Sequence, residues 1–417
     1  MYKIQSQIRN ILLFLIYSLA LFPVLPRGVE SVLMILVFLV SAIYFIKFQS
    51  RKLDKNQIFK VLTFSVLFFL YLISLAYSSE LKSGLNYLVK VIPIILFPII
   101  FGLFAPDLLM AKNVNHILKI YTSSIFIGLC YIHLHLYFTT SGKALTNWEY
   151  RNAFEALTDV HGTYFSIWIG FGLFIILLKL LKLINRRKFT YSIILICVGA
   201  YLFYWQLIIG ARLPQVMTII LLSIALFLHI KKGRHRVLGG VGLAILVSSI
   251  FIFNPNFLQR MKSLTAYDFS FPVGNYESNY ETITNEQIRN GIYYCSFSLI
   301  KDAWVFGYGI GDVNHTLLHC YDQKLESNVY DKFKYNSHNH YFHVWLASGI
   351  VGLLFFLFSL GYSIYLACIS KNRLYIMFSV FIVFTLLTEN VLSRHDGVLF
   401  YSYFNAIFAF NKFTGRD

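Results

Sequence analysis

Three histidines fall within six residues of NSHNHYFHVWLASGIVGLL (336–354): His338, His340 and His343. An imidazole that is neutral near pH 7 is suited to taking a proton from a hydroxyl. Two arginines upstream offer a different chemistry: Arg212 in GARLP, and Arg289 in ITNEQIRNGIYYCSFSLIKDAW. A guanidinium is a planar fork that bonds two oxygens at once, so it suits a phosphate. Pro214 is favourable in the first turn of a helix. Arg212 would then lie at a helix N-terminus, where free N–H groups and the helix dipole also favour an anion. Plainer alternatives stand beside each: an interfacial histidine that caps a helix, an arginine reaching headgroup phosphates, an arginine on a solvated helix face.

Other motifs carry less. FGYGIGD (306–312) alternates glycines, but no Lys-Ser/Thr follows and no dinucleotide-binding unit surrounds it, so a tight turn is expected. His315 and His319 in HTLLH are one helical turn apart, without the glutamate of a zinc-protease motif. Glu389, in LLTENVLSR, reads as an interface or packing residue. With no carboxylate cluster in the sequence, neither a metal nor a cofactor is expected.

The elements that must position these residues are apolar. Of 417 residues, 57% are hydrophobic and 13% charged, with a mean hydropathy of +0.63. A soluble domain carries about 25% charge. This composition is that of an all-α integral membrane protein, and its 18% aromatic content suits two membrane–water interfaces. Counting roughly 20 apolar residues per crossing predicts about twelve transmembrane helices. They lie near 9–26, 29–48, 59–77, 87–105, 114–138, 161–181, 189–209, 213–230, 237–254, 338–368, 373–390 and 396–411.

The chain thus divides into nine spans over 1–254, a large outer loop over 255–337 (periplasmic in the family resemblance below), and three spans with a short tail over 338–417. Ile288, Ile292, Cys295 and Leu299 recur at helical spacing in the loop, so an amphipathic helix is expected there. Lys3 and Arg9 precede the first apolar run, but no small-residue cleavage site follows, so it reads as an uncleaved helix. Clusters such as Arg186–Arg187–Lys188 and Lys231–Lys232 alternate with outer connections poor in basic residues. The positive-inside rule then places both termini in the cytoplasm. His133, His135, His161, Arg212, Arg289 and the 338–343 cluster all come to the outer side. On a helix starting near His338, Phe342, Trp345, Gly349 and Gly352 share its face, which turns His338 into the protein and His340 and His343 elsewhere.

The +17 formal charge sits in short clusters between apolar runs, with no basic stripe interleaved with stacking aromatics, so no nucleic-acid partner is expected. Five cysteines show no metal-ligand spacing. Cys295 and Cys320 share the large loop, where a disulfide is open to them if the loop is extracytoplasmic.

The stretch SHNHYFHVWLASGIVGLL resembles the HN…L…GxxG signature of the O-antigen ligase and polymerase superfamily of bacterial membrane glycosyltransferases. GARLP, QIRNGIYYCSFSLIKDAWVFGYGIG and TENVLSRHDGVLFYSYFNAIF support the resemblance by order and spacing, and it extends over most of the chain. It implies an O-antigen ligase in lipopolysaccharide biosynthesis, at the bacterial inner membrane with a periplasmic active site. The donor would be an undecaprenyl-diphosphate-linked glycan and the acceptor a sugar hydroxyl of lipid A–core, among membrane lipids. It also implies His338 as catalytic and Arg212 and Arg289 as diphosphate-binding, with His161, Asn339 and Tyr164 supporting. The chain departs from the common pattern in two places: GARLP lacks the Ser-Arg-Gly of relatives, and Gly162 in VHGTYF replaces a frequent proline. The polymerase and the protein O-oligosaccharyltransferase of the superfamily are the nearest alternatives. A lipid-linked glycan transporter is a more distant one, invited only by Lys90 in LVKVIPIILFP, with Pro93 and Pro98.

Overall fold

The computed structural model describes residues 2–48, 54–140, 145–229, 268–279 and 283–411. Within them every regular element is a helix, apart from one isolated bridge between Gly274 and Ser327. The first half holds α1 (Tyr2–Leu19), α2 (Arg27–Phe48), α3 (Lys55–Phe64), α4 (Val66–Leu75), α5 (Leu81–Val91), α6 (Pro93–Ile99), α7 (Ala111–Thr139), α8 (Asn147–Thr158), α9 (Gly162–Asn185), α10 (Phe189–Ile209) and α11 (Arg212–His229). The second half holds α12 (Tyr276–Asn279), α13 (Asn285–Asp302), α14 (Val313–Lys324), α15 (Val329–Phe333), α16 (His340–Ile369), α17 (Arg373–Thr385) and α18 (His395–Phe410).

Helix α2 shows how the bundle meets lipid. Val32, Ile35, Leu39, Ile43 and Ile46 are exposed along one stripe, while Glu30, Met34, Val37, Ser41 and Tyr44 are buried along the other. Both follow the helical period, with the aliphatic stripe outward. At the centre stand α9, buried nearly throughout from Gly162 to Leu177, and α18, buried from Asp396 to Phe410. A helix apolar all round belongs in such a core. Phe171, Phe378 and Phe404 pack their rings there.

Among the described residues, seven helical segments are long and apolar enough to cross a membrane, so the chain is a multi-pass membrane protein. An eighth results if α3 and α4, bent by 58° at Ser65, form one crossing. The expected twelve therefore stands as an expectation. The eleventh appears as the shorter apolar helix Arg373–Thr385, and the ninth, 237–254, lies outside the described residues.

The expected loop helix is present as α13. Its buried face includes Ile288, Ile292, Cys295 and Leu299, and Thr284 with Gln287 forms a capping box at its start. A Cys295–Cys320 disulfide joins α13 to α14. The FGYGIGD turn then docks onto α16, where that helix is broken at Gly349 (φ 66°). Tyr308 N–H donates to Leu346 O (2.7 Å), Gly309 N–H to Ala347 O (3.1 Å), and Ile350 N–H to Trp304 O (2.8 Å). A Cβ at position 349 would collide with the Val305 carbonyl, so only glycine permits this approach. Asp312 completes the junction by accepting from the Ser79 and Glu80 N–H groups at 2.7 and 2.8 Å.

Candidate active site

Helix α16 does not start at His338. Asn339 caps it, its side chain accepting from the Tyr341 and Phe342 N–H groups at 2.9 and 3.2 Å, a strong N-terminal signal. His338 precedes the cap in left-handed backbone (φ 43°), and its own N–H donates to Asn336 Oδ1 at 2.9 Å. The expected helical face shared by His338 and Phe342 is therefore corrected. The histidines also exchange roles. His340 and His343 are the fully buried pair: their rings stack 5.7 Å apart, and His343 lies 5.2 Å over Tyr87. His338 keeps an open edge, with 23% of its side chain exposed.

The partner of His338 is Glu389, with Nδ1 3.6 Å from Oε2. Burial raises the Glu389 carboxyl, but His338, and more distantly His161 and Arg394, outweigh it and hold it below the usual carboxylate range. The residue after Glu389 is tied down by two bonds. Asn390 Nδ2 donates to Ser337 Oγ at 3.0 Å, and Tyr164 OH donates to Asn390 O at 3.2 Å. Arg394 lies over the Tyr164 ring at 5.9 Å. His161 caps α9 by accepting from Thr163 N–H at 3.3 Å, and its ring meets that of Tyr164 edge-on. Burial pushes the His161 imidazole down against the pull of Glu155 and Glu389, which favours its neutral form. His338, Asn339, His161 and Tyr164 thus come together around a carboxylate that the sequence reading had left to packing.

The arginines form a second node. Helix α10 ends at Gly210 (φ 64°), a left-handed C-terminal cap, and α11 opens on Arg212. Arg212 Nη1 pairs with Glu286 Oε1 at 2.8 Å. Glu286 is in the first turn of α13, three residues before Arg289. Burial raises the Glu286 carboxyl, whereas Arg212 and then Arg289 lower it further. Arg212 thus holds the carboxylate directly, with Arg289 one turn further along α13, and a guanidinium that binds a carboxylate can also bind a phosphate. Glu286 was not singled out in the sequence, although a glutamate three residues before Arg289 on a helix was a usable signal.

No hydrogen bond or ion pair joins the two nodes among the described residues. They share the same end of the bundle: a Cβ on Gly162, next to His161, would touch Ile209, three residues before Arg212. A network also missed by the sequence reading stands at that end. Arg27 bonds Asp396 through Nε (3.2 Å) and Nη2 (3.0 Å) and Asp159 through Nη1 (2.7 Å), while His395 meets Glu30 at 2.7 Å. It ties α2 to α18 and to the segment before α9. His133 is not with the site; it packs on Tyr201 and Trp205. Among the described residues no three His, Cys, Asp or Glu side chains gather so as to hold a metal ion.

Residues 207–357 match the family model described as O-antigen ligase. The match takes in Arg212, Arg289 and His338 and ends before Glu389. No curated protein matches the chain.

Proposed function

We propose that this chain, a member of the O-antigen ligase family through its residues 207–357, transfers a glycan from undecaprenyl diphosphate to a sugar hydroxyl of lipid A–core. The reaction takes place at the periplasmic face of the inner membrane. The observation that carries the reading is the pairing of His338 with Glu389 at the end of the bundle where Arg212 pairs with Glu286, one helical turn before Arg289. The Cys295–Cys320 bond supports an oxidising compartment for the loop.

In this reading His338 takes the proton of the acceptor hydroxyl as its oxygen attacks the anomeric carbon. The bond from that carbon to the diphosphate oxygen breaks, and its electron pair leaves with the diphosphate. Attack from the opposite face inverts the anomeric centre. Glu389 orients the ring and stabilises the imidazolium that forms, as a carboxylate beside a basic histidine does. Arg212 and Arg289 exchange Glu286 for the diphosphate and neutralise the charge that builds on it. Two guanidinium groups can do this without a metal.

The test is transfer by purified protein from undecaprenyl-diphosphate glycan to lipid A–core, with and without EDTA. Glycosylated lipid A–core formed equally under both conditions is the expected product. Growth of the glycan on its own carrier, with no transfer to lipid A–core, would instead make the protein a polymerase.

A further inference from the structure

At the end of the bundle opposite the active site lies a cavity of about 820 Å³, within the size range of ligand pockets. It is bounded by α7, α9, α10, α11 and the turn from α16 to α17. Six cations line it: Lys119, Lys179, Lys182, Arg186, Lys371 and Arg373. Among the described residues no carboxylate lines it and none of the six forms an ion pair. Like charges gathered without an acid attract an anion.

The cavity also has an apolar part, lined by Phe126, Ile176, Val198 and Phe408. Its lining runs from Asn115 to Phe126 on α7 and from Ile175 to Arg186 on α9. Each run is about three turns, or ~16 Å at 1.5 Å per residue, roughly half of a hydrocarbon core of ~30 Å. The cations cluster toward the helix ends and the aromatic and aliphatic wall extends inward. That gradient, cationic to apolar across one leaflet, is the complement of a lipid with an anionic head. A small soluble anion has no use for the inner wall.

We propose that this cavity binds an anionic diacyl phospholipid of the leaflet opposite the active-site face. Its phosphate would lie among Lys179, Lys182 and Arg373, and its acyl chains against Phe126 and Val198. The site is independent of the transfer reaction and anchors the inner ends of α9, α11 and α16, whose other ends carry His161, Arg212 and Asn339.

The experiment compares Tm in nanodiscs of phosphatidylcholine alone and with phosphatidylglycerol added. The proteins are wild type, Lys179→Gln/Lys182→Gln, Val198→Trp, and the control Lys47→Gln/Lys55→Gln, whose exposed cations lie outside the cavity. Phosphatidylglycerol is expected to raise Tm by several degrees in wild type and control. The rise should at least halve in the lysine variant and in Val198→Trp, where the wall is filled but every cation remains. An equal rise in all four proteins would overturn the proposal in favour of general surface attraction. A full rise from soluble glycerol phosphate in phosphatidylcholine discs would overturn it in favour of a small-anion site.

Discussion

Glu389, the carboxylate beside His338, has a side chain only 10% exposed, whereas Glu286 shares its ion pair with an arginine that is 42% exposed. The two nodes stand at one end of the same bundle under different physical regimes. At the first, the carboxylate is buried, so its attraction for the ring is less screened. At the second, solvent screens the pair and makes it worth little, ~0–1 kcal/mol. A group that must move a proton benefits from a fixed partner. A group that must receive a diphosphate benefits from a partner it can give up. The difference teaches that the same acid–base pairing serves as a clamp or as a placeholder according to burial.

The comparison breaks most visibly at the ring. His338→Ala is expected to lower the initial transfer rate by ~10²–10⁴-fold, measured on protein whose Tm is unchanged; a loss below about tenfold would remove the proton-transfer role. Arg212→Ala is expected next, at about 10²-fold. Arg212→Lys should restore only part of it, because an ammonium lacks the two-oxygen fork. Complete recovery by lysine would show that charge alone is needed.

Glu389→Gln sharpens the buried half. Gln keeps the shape but removes the charge that would stabilise the imidazolium, so a rate loss of about tenfold, ~1.4 kcal/mol, is expected. Its pH dependence has a definite sign. The folded-state carboxyl of Glu389 is depressed, so its contribution to stability is present above the unfolded value of about 4.3 and is lost as pH falls through the depressed one. The Tm gap between wild type and Glu389→Gln should close as pH falls through that depressed value. A gap that persists unchanged well below that value would contradict the assignment. The smallest effect belongs to Glu286→Gln, within about fivefold in rate, as an exposed pair of ~0–1 kcal/mol allows. A loss matching that of Arg212→Ala would mean that the carboxylate does more than hold the diphosphate's place.

Much of this was legible in the chain. The apolar runs marked most helices, the spacing of Ile288, Ile292, Cys295 and Leu299 marked α13, and GARLP marked the helix start at Arg212. The three histidines were legible as a cluster, but their order of burial was not. Asn339 takes the capping position and puts His338 outside the helix, while His340 and His343 turn into a pocket walled by Tyr71 and Tyr87. Gly349 was legible as a glycine on a membrane helix. That it breaks α16 to receive the backbone of 304–309 required seeing the loop docked.

The sequence by itself determined that the chain is helical and lies in a membrane, because in lipid each segment must satisfy its own backbone hydrogen bonds and therefore announces itself as a long apolar run. It also determined which residue types were available for proton transfer and phosphate binding. Only the tertiary structure decided which of them act together. Arg212 and Glu286 are 74 residues apart, and His338 meets Glu389 across α16 and α17. Pairs that distant leave no periodic trace, because nothing local to either residue depends on the other until the helices pack.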